Sequence, residues 1–159
     1  MPNPLLNADL DLAHQLADAA DAITLDRFQA LDLVIETKAD MTPVSDADTA
    51  AERAIRDLLA FHRPDDIVLG EEFGAESTSR DRRWIIDPID GTKSFISGNP
   101  VWATLIALVI GDEVVLSVVS APAMQQRWWA SREAGAFMRN NSGQQRLSVS
   151  TTPDLVDAS

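Results

Sequence analysis

The first third of the chain carries two segments with helical periodicity. In the first, apolar residues recur at three- or four-residue spacing, apart from a wider gap after Ile23, and this spacing predicts a helix with one buried face. Asn3-Pro4 or Asn7 would start it, because asparagine caps helices and proline suits the first turn. The apolar face comprises Ala13, Leu16, Ala17, Ala20, Ile23 and Leu31, and the polar side includes Asp9, Asp11, Asp18 and Asp21.

The second helical segment follows a polar stretch at residues 38–48. Ser45 or Asp46 would cap this helix, with Asp48 in its first turn, where negative charge is favourable. Pro64 would end it soon after His62. Its buried face is predicted to contain Ala51, Ile55, Leu58 and Leu59, and its exposed face Glu52, Arg53, Arg56 and Asp57.

The remaining apolar runs are short and predict strands. Several of them flank turn sequences at residues 111–112 and 140–143, as in hairpins. Two helices followed by mainly hairpin-linked strands indicate an α+β fold, with two N-terminal helices packed on a mainly antiparallel sheet. The predicted strands are residues 31–36, 67–70, 84–86, 101–110, 114–119, 127–130, 135–138 and 146–149.

Composition narrows the function classes. The 159 residues suffice for one domain, and 45% hydrophobic residues are ordinary for a soluble globular protein. The net charge of −12 argues against nucleic-acid or anionic-membrane binding, and a small-molecule partner that carries phosphate would have to be attracted by a metal ion, not by the overall charge. The sequence contains no cysteine, signal peptide or long apolar stretch, which fits a cytoplasmic protein without disulfides.

Acidic residues follow two of the predicted strands. Glu71 and Glu72 come after residues 67–70, and Asp87 and Asp90 after residues 84–86. Pro88 is expected to end the second strand at Asp87. Asp90 or Thr92 would then cap a short helix over residues 93–96, and residues 75–83 would form a polar loop.

The acids can be interpreted in two ways. One Asp-containing turn is usually a loop in which the carboxylates cap backbone N–H groups. Acids at two strand ends, beside a helix N-terminus that attracts phosphate, instead indicate a phosphate site bridged by divalent cations. Oxygen-only ligands favour Mg²⁺, or Mn²⁺ or Ca²⁺, over zinc.

Two motifs resemble those of a known family. Gly-Glu-Glu at residues 70–72, followed by Trp-Ile-Ile-Asp-Pro-Ile-Asp-Gly-Thr at residues 84–92, resembles the metal-binding signature of the inositol monophosphatase family of Mg²⁺-dependent phosphatases. Residues 38–48 resemble the family's Lys-x-Asp-x-Thr-Pro-Val-Thr-x-Ala-Asp motif, with Ser45 in place of the second threonine. The resemblance implies the N-terminal domain of an inositol monophosphatase/fructose-bisphosphatase-like fold.

The resemblance also implies roles for the acidic residues. Glu71, Asp87 and the Ile89 carbonyl would bind a first Mg²⁺, and Asp87 and Asp90 a second. Glu71 would also be catalytic through the first metal. One metal would activate a water for in-line attack on phosphorus, and the other would stabilise the leaving alkoxide.

The same resemblance assigns the remaining site residues. Thr92 would hydrogen-bond the metal-bound water, and Asp48 would help to orient it. The backbone N–H groups of Gly91 and Thr92 would hold the phosphate. Glu72 would lie beside the site.

Three features resemble the histidinol-phosphate phosphatases within this family: Lys93, the residues 38–48 and the residues 100–105. Ser94 departs from the asparagine common there. Inositol monophosphatase and 3′-phosphonucleotide phosphatase are the alternatives. Hydrolysis of histidinol phosphate would place the protein in histidine biosynthesis.

The resemblance covers residues 1–159 as an N-terminal metal-binding domain. Family members continue into an α/β domain whose Trp-Asp motif completes the metal site, and no Trp-Asp pair occurs in this sequence. The resemblance also implies a homodimer. The alternative is a truncated, non-catalytic chain that binds metal or a partner.

Overall fold

The computed structural model describes residues 4–75, 81–132 and 134–151, and within these ranges two long helices cover one face of a sheet. The helices are α1 (Pro4–Arg27), α2 (Asp46–His62) and the short α3 (Thr92–Ile96). A 3₁₀ turn spans Pro122–Met124. The strands are β1 (Ile35–Thr37), β2 (Pro43–Ser45), β3 (Ile67–Gly70), β4 (Gly74–Ala75), β5 (Arg82–Asp90), β6 (Ala103–Ile110), β7 (Glu113–Ala121), β8 (Gln126–Ser131), β9 (Gly135–Asn140) and β10 (Gly143–Leu147).

The described strands form one large sheet and one small one. The large sheet has the order β10-β9-β8-β7-β6-β5-β3-β4, and β1 pairs separately with β2. All neighbours in the large sheet are antiparallel except β3 and β5. The predicted α+β class with a mainly antiparallel sheet is confirmed.

The core lies between the helices and alternate residues of the central strands. Leu16 from α1 and Ile55 from α2 pack with Trp84 and Ile86 of β5 and with Leu108 of β6. Each of these side chains is almost fully buried. The predicted apolar faces of both helices are therefore the faces that contact the sheet.

Several predictions about element ends were wrong. Helix α1 ends at Arg27, so Leu31 lies exposed in the following turn instead of on a buried face. The strand predicted over residues 31–36 is shorter and spans Ile35–Thr37. Strand β5 does not end at Asp87 but continues through a bulge to Asp90. Of the predicted loop at 75–83, residues 76–80 lie outside the described residues, and residues 82–83 belong to β5 instead. The strand predicted over residues 146–149 is shifted, because β10 spans Gly143–Leu147.

Two acidic residues predicted on exposed helix faces are buried. Asp9 of α1 is 2% exposed and pairs with Arg63 and Arg82. Glu52 of α2 is fully buried. In both cases arginines supply the charges that make burial tolerable, and helical periodicity alone cannot reveal such partners.

No helix in the described residues has both the length and the apolar character needed to cross a membrane.

Candidate functional site

The two acid-bearing strand ends lie side by side because β3 and β5 are parallel neighbours. Their register pairs Gly70, the last residue of β3, with Ile86, so Glu71 follows β3 at the level of Asp87 in β5. The Glu71 N–H continues the ladder by donating to the Ile86 carbonyl over 3.1 Å. The carboxylates of Glu71 and Asp87 are thereby brought together, as the sequence predicted.

A bulge in β5 sets the orientation of the two aspartates. Asp87 pairs with Leu105 and Asp90 with Ala103, so β5 has one more residue than β6 in this interval. Residues three apart in a regular strand point to opposite faces, but the extra residue restores Asp87 and Asp90 to the same face. Pro88 lacks an N–H and is tolerated within a bulge. Its carbonyl accepts a hydrogen bond from the buried Thr104 hydroxyl over 2.8 Å.

Asp87 lies in an environment that disfavours its negative charge. Burial, the adjacent Glu71 carboxylate and the charge of Asp90 together raise the pKa of Asp87 to about 8. Its buried Oδ1 has no hydrogen-bond partner within the described part of the protein. A cation among these carboxylates would relieve both problems, because opposite charge favours the ionised form.

Lys38 supplies positive charge at one side of the acidic cluster. Its Nζ donates to Glu71 Oε1 over 3.0 Å and to Glu72 Oε1 over 2.9 Å. Burial alone would lower the pKa of Lys38, but the hydrogen bonds to Glu72 and Glu71 more than offset this and raise it. Burial also raises the pKa of Glu72, although the contact with Lys38 opposes this.

Asp48 and Thr92 connect α2 to the end of β5. Asp48 is 1% exposed and forms a capping box with Ser45, whose N–H and hydroxyl both donate to Asp48 Oδ2. The other oxygen, Oδ1, accepts from the Thr92 hydroxyl over 3.2 Å. Thr92 Oγ1 also lies 3.0 Å from the Ile89 carbonyl. Burial raises the pKa of Asp48 in spite of these hydrogen bonds.

The turn into α3 is made by Gly91. Its φ of 91° is left-handed, a conformation that favours glycine. A Cβ there would also lie 3.2 Å from the Val101 carbonyl. Helix α3 starts at Thr92, and no side-chain hydrogen bond caps it within the described residues. The prediction that Asp90 or Thr92 caps this helix was therefore wrong, because a left-handed Gly91 makes the turn.

The arrangement suits an oxygen-coordinated cation, although the ligand set is not fully gathered. Glu71 and Asp87 are adjacent, while Asp90 is exposed and reaches Asp87 only through its charge. Among the described residues, no three acidic or histidine side chains are grouped closely enough to hold a metal ion as they stand. The Lys38 ammonium is also paired with Glu71. All the available donors are carboxylate or carbonyl oxygens, the type that Mg²⁺ prefers.

Sequence reasoning missed two residues that shape the site. Lys38 was recognised within its motif but given no role of its own, and Glu52 was assigned to the exposed face of α2. A signal for Lys38 was available, because the chain has only two lysines: Lys38 lies in one motif of the site and Lys93 directly follows another. Nothing comparable in the sequence marked Glu52.

Comparison with known proteins gives consistent matches. The sequence profile of the inositol monophosphatase family matches residues 6–159. The histidinol-phosphatase of Streptomyces coelicolor is 58% identical, covering 95% of this chain and 58% of its own length. The histidinol-phosphatase of Mycobacterium tuberculosis is 55% identical with the same coverage. The structure of the IMPase TM1415 of Thermotoga maritima superposes with a TM-score of 0.81 at 34% identity, covering 91% of this chain and 55% of that one. The chain thus spans a little over half the length of these relatives.

Proposed function

The chain belongs to the inositol monophosphatase family, and we propose that it forms the metal- and phosphate-binding domain of a Mg²⁺-dependent phosphomonoesterase. Members of this family are metal-dependent phosphatases. The observation that carries the proposal is the contact between Asp87 of β5 and Glu71, which directly follows the parallel neighbour β3. Burial, together with Glu71 and Asp90, raises the pKa of Asp87 to about 8. Two carboxylates held together in this way favour a divalent cation between them.

The acidic residues would hold the metal. Glu71, Asp87 and Asp90, with the Ile89 carbonyl, are the proposed ligands. Bound Mg²⁺ would supply the positive charge that attracts a phosphate ester and stabilises the developing negative charge of the reaction. The chain itself, with a net charge of −12, provides no such attraction overall.

Thr92 and Asp48 would position the attacking water. The Thr92 hydroxyl proton points to Asp48 Oδ1 or to the Ile89 carbonyl, so the Thr92 oxygen is free to accept a hydrogen bond from a water. Asp48 is held by Ser45 and can orient that hydroxyl while remaining buried. The backbone N–H groups of Gly91 and Thr92, at the start of α3, are the proposed phosphate donors.

Histidinol phosphate is the proposed substrate, which would place the protein in histidine biosynthesis. The supporting observation is that the relatives 58% and 55% identical to this chain are both named histidinol-phosphatase. Inositol 1-phosphate is the second candidate, since the Thermotoga maritima IMPase is 34% identical. A non-catalytic, metal-binding chain is the third, because the acids are incompletely gathered.

Phosphate release separates these candidates. We expect Mg²⁺-dependent release from histidinol phosphate to exceed release from inositol 1-phosphate and from adenosine 3′,5′-bisphosphate, measured side by side. Faster release from one of the other esters would reassign the substrate. Mg²⁺ binding without release from any ester would instead support the non-catalytic alternative.

The Asp90→Asn variant tests the proposed metal site. Phosphate release should fall by more than about a hundredfold while the circular dichroism spectrum is unchanged, since even outer partners of metal ligands typically change activity 10–100-fold. Asp65→Asn is the control. It removes the same charge from an exposed position just before the N-terminal end of β3, away from Glu71, and should retain activity. Full turnover by Asp90→Asn would refute the assigned role.

The resemblance also leads us to propose a homodimer and a cytoplasmic location. Light scattering during size-exclusion chromatography would test the first, and fractionation of the source cells the second.

A further inference from the structure

Glu52 is a fully buried carboxylate on a helix face that the sequence pattern assigned to solvent. It lies in the middle of α2, and its side chain is 0% exposed. A buried carboxylate needs charged and hydrogen-bonding partners to persist. The identity of those partners indicates what Glu52 does.

Glu52 binds the turn that follows β3. Its Oε2 accepts the Glu72 N–H over 2.7 Å, and its Oε1 accepts the Phe73 N–H over 3.2 Å. These two amides come directly after Glu71, a proposed metal ligand. Glu52 therefore fixes the backbone of this turn at the two residues that follow Glu71.

Arg56 completes the connection. Its Nε donates to Glu52 Oε1 over 2.8 Å, and its guanidinium also donates to the carbonyls of Gly74 and Val68. The pair Glu52–Arg56 thus binds β3, the turn and β4 together. A planar guanidinium suits this role because its donors have a fixed geometry.

Gly70 provides the space for the Glu52 carboxylate. A Cβ at this position would lie 1.8 Å from Glu52 Oε1 and within 2.6 Å of all three carboxylate atoms. The carboxylate is fixed by Arg56 and two amides, so it could not move aside without losing these hydrogen bonds. The glycine at this position is thus explained by close approach.

We propose that Glu52, supported by Arg56, is a positioning residue that fixes the turn carrying Glu71 and so sets the Mg²⁺ affinity of the site. The proposal rests on the proposed function of Glu71 as a metal ligand. Partners that orient metal ligands typically change metal affinity 10–100-fold when they are removed. The positioning effect would reach the metal through the backbone, since Glu52 accepts hydrogen bonds from the Glu72 and Phe73 amides. Gly70→Ala, which leaves every charge in place, separates this effect from the loss of the Glu52 charge.

Two variants disturb Glu52 in different ways. Glu52→Gln removes the charge, and Gly70→Ala displaces the carboxylate without changing any charge. Backbone strain does not complicate Gly70→Ala, because the φ of Gly70 lies outside the left-handed region. Both should weaken Mg²⁺ binding about tenfold or more in calorimetric titrations of the full chain.

Arg56 and Arg53 offer a matched pair of controls. Both guanidinium groups lie over the Phe73 ring, at 5.8 and 5.7 Å from its centroid. Among the described residues, Arg56 donates a hydrogen bond to Glu52 and Arg53 does not. Arg56→Gln should therefore weaken Mg²⁺ binding, whereas Arg53→Gln should leave it unchanged.

Hydrogen exchange gives a second readout that does not require metal. In metal-free protein, the Glu72 and Phe73 amides should exchange faster in Glu52→Gln and Gly70→Ala than in the wild type, with the rest of the chain unchanged. Folded variants with wild-type Mg²⁺ affinity would overturn the proposal, and so would unchanged protection of these two amides. If Glu52→Gln fails to fold, Gly70→Ala and Arg56→Gln decide the matter.

The two readouts separate this proposal from the function on which it rests. Absence of Mg²⁺ binding by the wild-type chain would contradict the proposed function. Tight binding by the wild type that persists in the variants would contradict only the role of Glu52.

Discussion

Asp87 shows how strongly neighbours change the chemistry of one residue. An aspartate normally ionises near 3.8, yet burial, Glu71 and Asp90 raise the pKa of Asp87 to about 8. Lys38 lies close by but pairs with Glu71 and Glu72. In the absence of a cation, Asp87 is therefore protonated near neutral pH.

This raised pKa predicts how stability depends on pH. Because the folded protein binds this proton more tightly than the unfolded chain, the stability it contributes is complete below about pH 4 and is lost as pH rises through about 8. Asp87→Asn cannot ionise and should remove this slope. In a chelator, thermal melting should show the variant more stable than wild type at pH 9 but similar to it at pH 4.

Magnesium supplies the control for that experiment. Saturating Mg²⁺ should restore wild-type stability at high pH and affect Asp87→Asn much less. Parallel melting curves for the two proteins across the whole pH range would show that Asp87 titrates normally.

At the scale of elements, the bulge in β5 decides which residues can cooperate. Asp87 and Asp90 share a face only because β5 carries one extra residue opposite β6. Thr104 of β6 is fully buried and donates to the Pro88 carbonyl inside this bulge. That hydrogen bond fastens the irregular part of β5 to the regular strand beside it.

Thr104→Val tests the contribution of this hydrogen bond. The shape of the side chain is kept, but the Pro88 carbonyl loses its buried donor, so unfolding in urea should require about 1–3 kcal/mol less free energy. Mg²⁺ affinity should also fall, since the bulge orients both aspartates.

Thr49→Val is the control, because it removes a hydroxyl that bonds within α2 and is only half-buried, so a smaller loss of stability is expected. Equal losses in the two variants would contradict a special role for the bulge.

At the scale of the molecule, the helices cover one face of the large sheet and leave the other less covered. On that second face, Ile85 is 39% exposed, and Leu105, Val119 and Trp128 are half-buried. The histidinol-phosphatases of Streptomyces coelicolor and Mycobacterium tuberculosis are longer than this chain, which covers 58% of each. The further α/β domain and the homodimer that the resemblance implies remain predictions.

The sequence by itself determined most of the main elements, although the short strands β2 and β4 were not predicted. Periodicity and turn sequences predicted both long helices and the main hairpins, and the apolar runs located β3 and the middle of β5. The positions of Glu71 and Asp90 at strand ends could also be read directly, whereas Asp87 was predicted at a strand end and lies inside β5. These features depend on local patterns of about 4–15 residues, which a single sequence records.

Only the tertiary structure decided how these residues meet. Segments distant in sequence are joined by the parallel pairing of β3 with β5 and by the contacts of Lys38 with Glu71 and Glu72. The bulge at Pro88 depends on the partner strand β6. The burial of Glu52 depends on Arg56 in the same helix and on two amides that are 20 and 21 residues away in the sequence. A polar side chain is buried or exposed according to what packs against it, and this is a property of the whole fold that no local pattern contains.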